Sequence, residues 1–111
     1  MKANKAPVIY GDGTQKRDFI YIEDNARASV LAMEKGKAGE AYNIGTGIST
    51  DFNTIYKIRK EEMHSDIESK YVKNPLTSYQ MVTRANIEKV RKKLQFEPEY
   101  DIRAGVKRML Q

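Results

Sequence analysis

Arg17 is the residue of this chain best suited to hold a phosphate. It stands just ahead of the apolar run Phe19-Ile20-Tyr21-Ile22, so its stem can be held while its head reaches a cleft. A guanidinium offers a planar fork of donors that matches phosphate oxygens. The same arginine would serve equally as an ordinary ion-pair partner of Asp18 or Asp12. Asn43 sits among residues of buried type, Ala41, Tyr42 and Ile44. A buried amide must find partners, so it is tied to backbone or aimed at a ligand. Gly45-Thr46-Gly47 follows that run and precedes a helical pattern, which is where a phosphate loop would lie. A lone Gly-x-Gly is weak evidence, and a tight turn accounts for it better. His64 is the only histidine and there is no cysteine, so no metal-ligand spacing arises. Glu23-Asp24 and Glu61-Glu62 are adjacent in helical stretches, where neighbours do not face each other, and neither suggests an acid–base pair. Tyr10, Tyr21, Tyr42, Tyr71 and Tyr79 fall mostly in strand-like runs, which favours core packing over a stacking surface for nucleic acid.

The elements that must position these residues centre on Gly11 to Gly47. A turn at Gly11-Asp12-Gly13 leads to a buried-type strand at 19–22. Asp24 is expected to cap a helix, favoured by the positive end of its dipole. Ala26, Val30 and Met33 fall on one face of that helix, and Ala28, Ser29 and Ala32 permit close packing. Gly36 or Gly39 ends it, and Ala41 to Ile44 reads as a second strand, parallel to the first because a helix joins them. This is a βαβ unit.

Around it, Pro7 to Tyr10 reads as a short strand, and residues 2–6 as a polar lead-in. Phe52, Ile55, Tyr56, Arg59 and Met63 make the stripe of a second helix starting near residue 51. A short strand is expected within 67–73 and an irregular crossing over 76–83. Asn86 begins a third helix with Ile87, Val90 and Leu94 on one face, stopped by Pro98. Asp101 caps a fourth, with Ile102, Val106 and Met109 or Leu110 inward.

Several words of the sequence carry a resemblance. They are Tyr10-Gly11-Asp12-Gly13, Arg17 to Asp24, Ala26-Arg27-Ala28, Tyr42 to Gly47, Ala85 to Lys89, and Leu94-Gln95-Phe96-Glu97-Pro98. In this order the chain resembles the C-terminal part of the extended short-chain dehydrogenase/reductase family. Within it, the chain is most similar to the NAD-dependent nucleotide-sugar epimerases and dehydratases, UDP-glucose 4-epimerase above all. The resemblance implies an α/β fold: the C-terminal substrate-binding portion of a Rossmann-type enzyme, a βαβ unit plus three further helices. Residues 1–111 would form one such unit. The glycine-rich dinucleotide loop and the catalytic Tyr-x-x-x-Lys pair would lie in a larger N-terminal domain, together with most contacts to NAD. No catalytic residue is then expected in these residues, and no cofactor for this chain alone. The resemblance gives Arg17 the role of contacting the substrate diphosphate and places Asn43 in the substrate pocket of some members. The family's Arg-x-Gly-Asp is absent from the region of Asn74 to Gln80. There Tyr79-Gln80 is similar to the sugar-nucleotide heptose epimerases, which makes Tyr79 a third substrate-binding candidate. Gln95 replaces the glycine that ends the third helix in relatives.

Composition narrows the classes. At 111 residues the chain is one domain at most, and 40% hydrophobic with 32% charged residues describes a soluble globular protein. No apolar run approaches a membrane span, no signal peptide is apparent, and a cytoplasmic location fits. The net charge of +5 arises from 20 basic residues interleaved with 15 acidic ones, which points to a solvated mixed surface rather than a nucleic-acid site. Three functions compete: a substrate-binding fragment of an epimerase, a non-catalytic nucleotide-sugar binding module, and a basic interaction protein, the last least supported. An upstream reading frame carrying the missing loop and catalytic pair would separate the first two. An apolar face left by the missing domain predicts self-association into a homo-oligomer.

Overall fold

The computed structural model describes residues 5–111. The reading of residues 2–6 lies largely outside that range. The elements in chain order are β1 (Val8–Tyr10), β2 (Lys16–Arg17), α1 (Ile22–Lys35), β3 (Thr50–Asp51), α2 (Phe52–Glu62), β4 (Lys70–Val72), α3 (Glu88–Leu94) and α4 (Ile102–Met109). The four helices begin within two residues of the positions expected from caps and periodicity.

The strands are arranged differently from the expectation. Neither 19–22 nor 41–44 is a strand, and residue 22 already belongs to α1. A strand is defined by its ladder partners, and these two segments have none among the described residues. The parallel pair is instead β1 with β4, Val8 opposite Lys70 and Tyr10 opposite Val72, with α1 and α2 in the crossover. A second small sheet pairs β2 antiparallel to β3, Lys16 opposite Asp51 and Arg17 opposite Thr50. Lys16 also bridges in parallel to Val82, which ties the otherwise irregular 76–83 crossing to Arg17's strand.

The core is built where α1 packs on α3. Ala28, Ile87, Val90, Leu94 and Phe96 are buried together, and Ile20, Leu31, Ala32, Tyr42, Ile44 and Ala85 pack around them. Asp24 does not cap α1. It lies within the first turn, 1% exposed, and its carboxylate accepts the backbone N–H groups of Glu99 and Tyr100 and a bond from Arg27. The helix starts at Ile22, two residues before Asp24, with Tyr21 at the N-cap position, and the Asp24 carboxylate serves the 99–100 segment instead. Ala26, Val30 and Met33 share a face, and that face is exposed.

α2 packs on α4. Asp51 and Asp101 cap these helices, accepting from Thr54 N–H at 3.2 Å and Ala104 N–H at 2.8 Å. Ile58 is the buried residue of α2, one place off the stripe read from the sequence. Val106 is buried in α4, and Leu110 rather than Met109 turns inward. Arg103 joins the two helices, donating to Glu62 at 2.8 Å and Glu61 at 2.7 Å. Asn86 contributes to the start of α3 by accepting from Glu88 N–H at 3.1 Å.

Candidate functional site

Arg17 leaves β2 half-buried. Its Nη1 donates to the carbonyl of Lys16 at 2.7 Å, and its guanidinium carbon lies 5.0 Å from the centre of the Tyr79 ring and 5.9 Å from that of Phe52. Flat cations are attracted to the faces of aromatic rings at such distances. The guanidinium is thus flanked by two rings, one from α2 and one from the 76–83 crossing. Among the described residues, no carboxylate lies within ion-pair distance of Arg17.

The two acids nearest in sequence are committed elsewhere. Asp12 accepts from the backbone and hydroxyl of Thr14, which holds its carboxyl below the usual value. Asp18 accepts four bonds: from the N–H and hydroxyl of Thr46, from Gly47 N–H at 2.9 Å and from Ala85 N–H at 3.1 Å. Burial pushes the Asp18 carboxyl up, and these donors together outweigh it, leaving it below the usual value. Asp18 therefore clamps three segments together beneath the strand that carries Arg17, and leaves the guanidinium without a local anion.

That clamp also decides what Gly45-Thr46-Gly47 does. The N–H groups of Thr46 and Gly47, which a phosphate would need, point at Asp18. A side chain at position 45 would strike Asp18 and Ala85, and Gly47 has φ +79°. The segment is a tight turn, and it does not fit the phosphates of a dinucleotide.

Asn43 is not buried. Tyr42 and Ile44 on either side pack against the core, while Asn43 is exposed, so burial does not force its amide onto a partner. Tyr79, half-buried, does join Arg17. Its hydroxyl also meets Gln15, a contact that no sequence pattern signalled. Among the tyrosines, Tyr10 and Tyr71 are exposed rather than packed in the core. His64 is exposed, and among the described residues no cluster of acids or histidines is arranged to hold a metal.

The Tyr-x-x-x-Lys spacing, expected to be absent from this chain, does occur once, at Tyr56 and Lys60. Both groups are committed. The Tyr56 hydroxyl donates to the carbonyl of Ile67, and Lys60 pairs with Glu68 at 2.9 Å. The pair ties α2 to the segment that leads into β4, with no free phenol or amine to act on a substrate.

An apolar groove of about 440 Å³ lies between α2 and α4, lined by Phe19, Ile55, Arg59, Ile102 and Val106. No helix among the described residues is long and apolar enough to cross a membrane.

The profile of the NAD dependent epimerase/dehydratase family matches residues 1–45. The UDP-glucuronate 4-epimerase of Thermodesulfobacterium geofontis is 38% identical over 101 residues, covering 90% of this chain and 31% of that protein. The dTDP-glucose 4,6-dehydratase 1 of Escherichia coli is 58% identical over 41 residues, 37% of this chain and 11% of that protein. The crystal structure of the Thermotoga maritima UDP-glucose 4-epimerase with UDP-glucose superposes with a TM-score of 0.86 at 34% identity, covering 96% of this chain and 36% of that one. Other structures that match were solved with NAD. The chain spans about a third of the length of the curated relatives that it matches nearly end to end. The chain is thus similar to the NAD-dependent epimerases and dehydratases, by the family profile over residues 1–45 and by relatives matched over nearly all of this chain.

Proposed function

We propose that residues 1–111 form the C-terminal, substrate-binding portion of an NAD-dependent nucleotide-sugar epimerase of the UDP-glucose 4-epimerase type. The observation that carries this reading is Arg17, a guanidinium oriented by Tyr79 and Phe52 and left without a carboxylate among the described residues. A cation held in place and unpaired is prepared for an anionic ligand, and its fork fits a diphosphate. Tyr79 adds a hydroxyl beside it, and Asn43 extends the contact toward the sugar. The hydride chemistry and the cofactor belong to polypeptide outside these residues, in a cytoplasmic enzyme. The exposed apolar face of α1 is the ground for self-association.

The 41-residue match to a dehydratase at 58% identity favours a second reading, a nucleotide-sugar 4,6-dehydratase portion. Tyr79-Gln80 supports a third, a heptose epimerase portion. All share the diphosphate and differ in the sugar.

The test is titration of the 111-residue chain with UDP-glucose, followed by amide NMR. The expected result is saturable shifts around Arg17 and Tyr79, and a loss of at least about tenfold in affinity in Arg17→Met, the scale of a charge-assisted bond. Neither UDP-glucose nor UDP-galactose with NAD is turned over by this chain. Turnover above a mock preparation, or binding unaffected by Arg17→Met, overturns the reading.

A further inference from the structure

Gln15 is 2% exposed, one of two buried polar side chains among the described residues. Its Nε2 donates to the carbonyl of Tyr10 at 2.9 Å and to the hydroxyl of Tyr79 at 3.4 Å. The Tyr10 carbonyl only accepts, which fixes the nitrogen rather than the oxygen of the amide on that side. The second proton of that nitrogen meets the Tyr79 oxygen, which is therefore the acceptor in the pair. A phenol carries one proton, and here that proton is directed away from Gln15. The Arg17 guanidinium carbon lies over the ring of the same tyrosine, 5.0 Å from its centre.

We propose that Gln15 is a positioning residue that makes Tyr79 a hydrogen-bond donor toward the anion held by Arg17, so that the two side chains form a two-donor cradle for a diphosphate. The proposal rests on the reading of Arg17 given above. A hydroxyl left free to rotate would present a lone pair to a phosphate oxygen as readily as a proton. The Gln15 amide removes that ambiguity, because it has protons alone to offer on this side. A glutamate at position 15 reverses the polarity. Its carboxylate takes the phenol proton for itself, and Tyr79 then turns its lone pairs toward the phosphate oxygens.

The experiment is a double-mutant cycle on the 111-residue chain, with UDP-glucose as probe and amide NMR as readout. Gln15→Glu is expected to weaken binding about tenfold, and Gln15→Met, which keeps the volume and loses the donor, about threefold. In a Tyr79→Phe background each change is expected to cost less than about twofold, since the directed proton is gone. Equal losses in the two backgrounds overturn the proposal, because the amide then acts without the phenol. Thermal unfolding identifies variants that fold, and Gln15→Met carries the cycle if Gln15→Glu does not. Failure of both to fold assigns Gln15 to the scaffold and also overturns the proposal. Arg17→Met keeps the two failures apart. If it binds as the unmodified chain does, or if the unmodified chain does not bind, the diphosphate reading fails and takes this inference with it. If it loses binding while the Gln15 losses simply add, only the inference fails.

Discussion

Asp18 and Thr46, 28 residues apart, are joined twice through one carboxylate oxygen, at 2.9 Å from the Thr46 N–H and 2.6 Å from its hydroxyl. The other oxygen takes Gly47 and Ala85. Removing the carboxylate strands up to four donors in a part-buried place, each costing about 1–3 kcal/mol if no water reaches it. Asp18→Ala is expected to lower stability by about 2–4 kcal/mol, and Thr46→Val, which spares the backbone bond, by about 1 kcal/mol. Urea unfolding measures both. A loss under about 0.5 kcal/mol for Asp18→Ala would show that the clamp does not hold the fold together.

The pH dependence follows from Asp18 and Asp24. In each, burial pushes the carboxyl up, and the donors outweigh it: the Thr46, Ala85 and Gly47 groups for Asp18, the Glu99 and Tyr100 N–H groups and Arg27 for Asp24. Both therefore lie below the ordinary value of 3.8 when folded. A depressed carboxyl stabilises the fold fully above its unfolded value, and that contribution is lost as pH falls through the folded one. The urea midpoint should be insensitive to these two groups above about pH 5 and fall steeply below about pH 4. The combined change Asp18→Asn with Asp24→Asn should flatten that fall. An equally steep acid limb in the double variant would assign it to other groups.

The helices were legible in the sequence and the strand pairing was not, for a physical reason. Caps and apolar periods act within one or two turns, so Asp51 and Asp101 announce their helices locally. Asp24 looked like the same signal, yet its partners Glu99 and Tyr100 lie 75 and 76 residues away. Similarly, Phe19 to Ile22 and Ala41 to Ile44 have the composition of strands, but a ladder needs a neighbour that composition does not supply. At the candidate site, Arg17 was singled out by its chemistry. Tyr79 entered by resemblance alone, since no spacing rule joins residues so far apart, and Gln15 gave no signal at all.

Gln95 shows a local rule broken and tolerated. It ends α3 with φ +53°, the left-handed position usually taken by glycine. A side chain there costs about 1–2 kcal/mol. Gln95 regains some of this through its exposed bonds to Lys35 and the Lys92 carbonyl. Gln95→Gly is expected to raise stability by about 0.5–1 kcal/mol, a few degrees in Tm. A lower Tm would mean that the two side-chain bonds outweigh the backbone strain.

Self-association is the remaining expectation, and the exposed face of α1 locates it. Ile22, Ala26, Val30 and Met33 recur at intervals of four, four and three, one stripe of the helix. Ile22, Val30 and Met33 are 68%, 48% and 80% exposed, while Ala28 on the opposite face is sealed in the core. The molecule is also thinner and wider than its length implies. Its radius of gyration is 16.4 Å and its smallest extent 18 Å, against about 13 Å for a compact domain of this length. Covering a large apolar side chain is worth about 1.5–3 kcal/mol, so three on one stripe favour pairing at high concentration. Sedimentation over a wide concentration range should show oligomers of the 111-residue chain. Val30→Lys with Met33→Lys should return it to monomer while changing urea stability by less than about 1 kcal/mol, since neither residue supports the core. A monomer at every concentration, with no binding of a hydrophobic dye, would show that the stripe is covered in solution by the chain itself.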